Sequence, residues 1–169
     1  IENLPGSTFA IEGEGPLLDT LKEMTITLDG RWVRLGLGDK VLYHAAAVIA
    51  CNYFVTLVKL ATELWQSFGV SPAEAIKAMS PLLQGTLNNI QKVGLPNCLT
   101  GPIARGDMGT IEKHLSALET RAPELLSAYC ELGLRTIPVA LAKGKIDEER
   151  ARELEKILQH SKISFRGEL

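Results

Sequence analysis

Two groups of residues carry side-chain types at spacings that can do chemistry. Lys40, His44 and Asn52 fall on one i, i+4 row that Val48 and Thr56 complete. Steps of four residues drift only ~40° around a helix, so the row forms a slowly winding stripe. Lys and His one turn apart can share proton transfer, since burial tunes either toward neutral pH. Asn52 offers both a donor and an acceptor to a substrate carbonyl or amide. The second group is Thr100-Gly101-Pro102-Ile103-Ala104-Arg105-Gly106-Asp107, with His114 on the next helix. Its glycines let backbone approach a ligand closely, Thr100 supplies a hydroxyl, and Arg105 can grip a carboxylate or phosphate bidentately. Asp107 and His114 are the remaining candidates there, His114 by pointing back at the same loop.

Each candidate has a plainer reading. Lys40 can be a surface residue at a helix mouth and His44 a hydrogen-bonded core histidine. Asn52 is harder to dismiss, because an unpaired amide buried in an apolar helix is costly. Asp107 can cap the next helix or pair with Arg105, and His114 can be structural. His160 lies in a charged terminal helix and reads as solvated. The Arg-Gly-Asp tripeptide at 105–107 invites an adhesion role, but nothing in the sequence looks secreted. No zinc-spaced cluster, nucleophile elbow, phosphate-binding P-loop or paired catalytic carboxylates is visible, and no metal is expected. The dinucleotide fingerprint GxGxxG is also absent; Gly36-Leu37-Gly38 is too short to count.

The elements that must position these residues are mostly helices. Asp39 to Gly69 predicts one long, largely buried central helix of about 28 residues, close to ~40 Å. Asp39 is its expected N-cap and Gly69 its C′ residue. Before it, Thr8–Glu12 reads as a strand, Pro16–Met24 as a helix and Trp32–Leu35 as a second strand. That is a βαβ unit, which cannot make a stable sheet alone. After it, Ser71 caps a helix over 72–79, and Ser80-Pro81 is expected to open a separate one reaching Lys92 and ending at Gly94. Residues 94–109 are rich in Gly and Pro and predict a long loop, of the kind that is usually functional. Further helices are expected over 110–120, from Pro123 toward Lys143 with a kink or break between Gly133 and Pro138, and after an Asp147 cap. The fold class is therefore mainly α: a multi-helical domain at 39–169 around one long helix, preceded at 1–38 by a βαβ remnant of an α/β domain.

The 169 residues suit one domain, or one domain plus a fragment of another. A composition of 46% hydrophobic and 22% charged residues is that of an ordinary soluble globular protein. A net charge of −2 with scattered basic residues gives no footprint for nucleic acid. Cys51, Cys98 and Cys130 are odd in number and far apart, which fits a reducing, cytoplasmic compartment. Cys51 and Cys130 read as inert core thiols. The central helix has the length of a membrane span, but His44, Asn52 and Lys59 argue against one. A start at Ile1 in the middle of a structural unit suggests a piece of a longer chain.

The segments KVLYHAAAVIACNY (40–53), LTGPIARGD (99–107) and TIEKHL (110–115) together resemble a family of Rossmann-like oxidoreductases. In these, an NAD(P)-binding domain precedes an all-helical C-terminal domain, similar to the C-terminal domain of phosphogluconate dehydrogenase, whose substrate is unassigned. The arrangement is more distantly similar to pyrroline-5-carboxylate reductase, ketopantoate reductase and the β-hydroxyacid dehydrogenases. In the last group a Lys followed four residues later by Asn starts the corresponding helix, the Lys moving a proton and the Asn positioning substrate. Lys40 matches that Lys; His44 stands in the place of the Asn, with Asn52 two turns on. The resemblance implies NADP or NAD as cofactor, held mainly by residues upstream of this chain. It also implies a homodimer formed through the helical domain, and Thr100 with Arg105 would hold the anionic group of a small substrate. A non-catalytic dimerisation or ligand-sensing module is the competing reading.

Overall fold

The computed structural model describes residues 4–166, with the backbone alone for 162–166. Among the described residues, seven helices and one two-stranded sheet make a mainly α chain, as expected. In order these are β1 (Thr8–Ile11), α1 (Gly15–Thr27), β2 (Arg31–Arg34), α2 (Asp39–Gln66), α3 (Pro72–Val93), α4 (Pro102–Arg105), α5 (Met108–Arg121), α6 (Pro123–Ala142) and α7 (Glu148–Arg166). The chain resolves into two compact units, Ile1–Leu57 and Val58–Leu169.

The first unit contains the expected βαβ. β1 and β2 pair in parallel, Thr8 against Arg31 through Ile11 against Arg34, with α1 as the crossover. Parallel neighbours need such a crossover because a tight turn cannot reverse the chain twice. Pro16 lies in the first turn of α1, where its missing N–H costs nothing. The helix runs three residues past Met24, because Thr25 and Thr27 return their hydroxyls to the Leu21 and Glu23 carbonyls instead of breaking it. Leu18 and Thr25 of α1 and Ile11 of β1 are buried. β2 is exposed along its whole length, Trp32 and Val33 included, and the Lys22 ammonium lies 5.3 Å from the Trp32 ring. A two-stranded parallel sheet is marginal by itself, and parallel sheets are normally covered on both faces.

α2 has the expected length but not the expected burial. Val41, Leu42, Tyr43, Ile49, Tyr53 and Val55 are all exposed, and Thr62 is its only buried residue. An apolar circumference predicts a place in the middle of the fold. That pattern records a need for cover, which the first unit does not supply by itself over its share of the helix, whereas Leu60 and Leu64 further along pack against the core of the second unit. Gly38, at φ +87°, precedes its first turn, and the Asp39 carboxylate accepts from the Gly36 N–H at 2.8 Å rather than capping the helix. Over Val48–Asn52 the helix takes a π turn. The inserted residue rotates the later turns of the helix, so the row from His44 to Asn52 does not wind as regular α-helix would. At the far end Val70 N–H reaches Trp65 O and Gly69 N–H reaches Gln66 O, with Gly69 at φ +90°. That is a Schellman closure with Gly69 at C′, as expected.

The second unit holds the main core. α6 supplies Leu125, Leu126, Cys130, Ile137 and Ala140, α5 supplies Ile111, Leu115 and Leu118, and α7 supplies Leu154 and Leu158. Removing each such leucine or isoleucine from water is worth about 1.5–3 kcal/mol. α6 and α7 approach closely at Gly133, where an added Cβ would lie 2.9 Å from Leu158 Cδ1. Two helix ends move relative to expectation. α3 is one unbroken helix: Ser71 forms a reciprocal capping box with Glu74, while Ser80 donates its hydroxyl to Ile76 O and caps nothing. Pro81 removes one rung of the ladder there without ending it. α6 likewise runs through Gly133 and Pro138 without a break. Asp147 does cap α7, accepting from the Arg150 N–H at 2.8 Å.

Candidate functional site

In the first unit, Lys40, His44 and Asn52 are all exposed. The burial on which their proton-transfer role depended is not provided by their own unit, nor is Asn52 an amide sealed in apolar surroundings within it. Asn52 closes the π turn, and its carbonyl accepts from the Thr56 hydroxyl at 3.4 Å. π turns inside long helices are frequent at functional sites. Cys51, expected to be an inert core thiol, is exposed on the same turn, because the helix that carries it is uncovered; Cys130 is fully buried as expected.

In the second unit the 94–109 segment is compact. It contains the single turn α4, with Ile103 buried in the core and Ala104 also buried. Gly101, at φ +97° and ψ −178°, holds a conformation that only glycine enters readily, and nothing lies within 4 Å of where its Cβ would be. Gly106, at φ +65°, closes α4 and lies so near Arg150 that a Cβ would meet Arg150 Cγ at 2.7 Å. Thr100, Gly101, Ala104 and Arg105 line a cleft of about 400 Å³ together with Lys143 and Lys145 from the end of α6. This falls within the range of small-molecule sites. Lys143 Nζ donates to the carbonyls of Asn97 at 2.9 Å and Leu99 at 2.6 Å, which ties the loop to the end of α6.

Asp107 takes both plainer roles. Its Oδ1 accepts from the Thr110 N–H at 3.1 Å and its Oδ2 from the Thr110 hydroxyl at 2.7 Å, capping α5. Those bonds hold its carboxyl below the usual aspartate range, with the Arg105 charge, 3.9 Å away, a smaller contribution. His114 does not line the Thr100–Arg105 cleft. Its Nδ1 lies 2.9 Å from Tyr129 Oη with the rings edge to face, in a separate pocket of about 340 Å³ that Arg121 and Phe68 also line. Partial burial raises the Tyr129 phenol above its ordinary value. The phenol therefore stays protonated and donates to Nδ1 when the imidazole carries its proton on Nε2. Among the described residues no group of three or more metal-ligating side chains occurs.

Sequence reading missed Lys143, Lys145 and Tyr129. Lysines just past the end of a helix look like ordinary complements to its dipole. Only the return of 94–105 to the end of α6 makes them part of a cleft.

The chain matches the family model described as domain of unknown function (DUF2520) over residues 7–136. That span is more than three quarters of its length. The chain belongs to the DUF2520 family. No curated protein and no solved structure matches it. The DUF2520 segment contains the βαβ, the α2 stripe and the Thr100–Asp107 loop, while Lys143 and Lys145 lie beyond it.

Proposed function

We propose that this DUF2520 chain is the helical substrate and dimerisation part of an NAD(P)-dependent oxidoreductase acting on a small anionic substrate. The observation that carries the reading is the parallel β1–α1–β2 unit, whose second strand is open along its length and which leads directly into α2. Parallel strands of this kind belong to larger sheets covered by helices, the architecture of dinucleotide-binding domains.

The chain does not itself fit the cofactor's pyrophosphate. The connection from β1 to α1 is Glu12-Gly13-Glu14, and two carboxylates beside that turn oppose an anion. On this reading a preceding domain holds the nicotinamide nucleotide, which would supply or accept the hydride. This chain's residues have other tasks. Lys40 or His44 carries the proton, Asn52 orients the reacting group, and Thr100 with Arg105 holds the anionic group. α2, uncovered in a single copy, forms the homodimer contact. Replacing His44 by Gln or Arg105 by Gln in the full-length protein should each lower turnover by about a hundredfold, within the range of general acid–base and charge-assisted contributions. Cofactor affinity should stay within about twofold in the His44 variant, since His44 is not assigned to the nucleotide. Unchanged turnover in both variants would remove the site assignment.

The exposed apolar face of α2 also favours a second reading, a dimerisation or ligand-sensing module without turnover. Under that reading, the full-length protein binds a ligand and dimerises, but no oxo- or hydroxy-acid is reduced or oxidised.

A further inference from the structure

We infer that the cleft between the 99–105 loop and the end of α6 is built for a doubly charged phosphate monoester rather than a single carboxylate. The inference rests on the reading that this cleft takes the anionic group of the substrate, and it names that group. Three cations line the cleft: Arg105, Lys143 and Lys145. Among the described residues the one carboxylate within 4 Å of any of them is Asp107, 3.9 Å from Arg105. Both Asp107 oxygens are already engaged by Thr110, and 3.9 Å is beyond hydrogen-bond reach, so the Arg105 fork keeps its donors for a ligand. Lys143 spends two of its three N–H groups on the Asn97 and Leu99 carbonyls, which fixes its ammonium and leaves one donor. Neither carbonyl neutralises its charge. The cleft therefore carries two positive charges more than it balances.

A monocarboxylate would leave one of those charges unmet. A phosphate monoester near neutral pH brings about −1.5 to −2 charges and three strong acceptor oxygens, with its second ionisation near pH ~6. The Arg105 fork can take two of those oxygens and the ammonium groups the rest. Thr100 adds a hydroxyl, and the bare backbone at Gly101 lets the group approach closely. The phosphate can belong to the substrate itself or be the 2′-phosphate of a phosphorylated nicotinamide cofactor.

The test is calorimetric titration of the chain, without cofactor, with glycerol 3-phosphate, adenosine 2′-monophosphate, acetate and succinate. At least one phosphate ester should bind about tenfold or more tighter than acetate, and its affinity should fall as pH drops through ~6 and the dianion is lost. Whichever ester binds more tightly identifies the source. Lys145→Ala, a side chain with no hydrogen bond or ion pair to lose among the described residues, should weaken phosphate binding about tenfold without altering the circular dichroism spectrum. Arg105→Gln should do so at least as strongly. Acetate binding as tightly as either ester, succinate binding more tightly than both, or an unchanged Lys145→Ala affinity would each overturn the inference. Hydride transfer on a monocarboxylate by the full-length protein, with neither ester binding more tightly than acetate, would remove the phosphate assignment alone. Phosphate binding by a full-length protein that binds no nicotinamide nucleotide would instead remove the oxidoreductase reading alone.

Discussion

α2 and α6 are both long and apolar enough, by length and composition, to cross a membrane, yet the chain treats them differently. α6, at 20 residues, sends Leu126, Cys130, Ile137 and Ala140 into a core shared with α5 and α7. α2, at 28 residues and the more apolar of the two, has none of its most apolar stretch buried. Apolar composition states that a surface must be covered; it does not say by what. α6 finds its cover in its own unit, whereas the part of α2 within the first unit is not covered by that unit. Under the proposal its cover is a second copy of this chain together with a nucleotide-binding domain.

The contrast can be broken most sharply by matched truncations. Leu126→Ala in α6 or Leu154→Ala in α7 should cost about 2–5 kcal/mol in urea unfolding, the range for emptied core sites. Leu42→Ala in α2, at a residue 73% exposed, should change stability by no more than about 0.5 kcal/mol at concentrations where the chain is monomeric. Equal losses at both places would mean that α2 is covered within the single chain after all. Sedimentation velocity sharpens the same point. Leu42→Asp combined with Ile49→Asp should convert a dimer to monomer, while a wild-type chain that is monomeric at high concentration would end the proposed dimer role of α2.

Smaller effects probe the covered side. Gly133→Ala pushes a methyl group into Leu158; overpacking of about 1–3 kcal/mol, offset by up to about 1 kcal/mol of helix propensity, should leave a net loss. A gain in stability would show that α6 and α7 can part there without cost. Asp107→Ala removes the α5 cap and should lower Tm by about 2–4 °C at neutral pH. Because the Asp107 carboxyl is depressed in the folded chain, its stabilisation is fully present above its ordinary value of 3.8 and is lost as pH falls through the lower folded value. The gap between variant and wild type should therefore close in strong acid. A gap that widens there would contradict the hydrogen-bonding assignment.

The elements were legible where their signals are local. The Pro and Gly residues flanking the strands, Ser71 with Pro72, Gly69 and Asp147 each act within a few residues, and they set the βαβ and most helix bounds. Ser80-Pro81 misled because the same dipeptide that opens a helix is tolerated inside one when the hydroxyl finds the carbonyl four residues back. The burial of α2 was not legible, since periodicity cannot distinguish cover within a chain from cover by another. The candidate site was half legible: Thr100, Gly101 and Arg105 do share a cleft, but the cations that complete it arrive from more than 35 residues away, and His114 belongs to a different pocket with Tyr129. Contacts made by tertiary return leave no spacing to read.

The central claim is that the open parallel strands are the edge of a nicotinamide-nucleotide-binding sheet and that the helical unit serves its substrate. It is tested most directly by titrating the full-length protein, residues upstream of 1 included, with NADPH and NADH by cofactor fluorescence, beside the 169-residue chain. The account predicts saturable binding of one nucleotide by the full-length protein and none of comparable strength by this chain. A folded full-length protein that binds neither nucleotide would contradict it, and would leave α2 and its polar stripe as an interaction surface without redox chemistry.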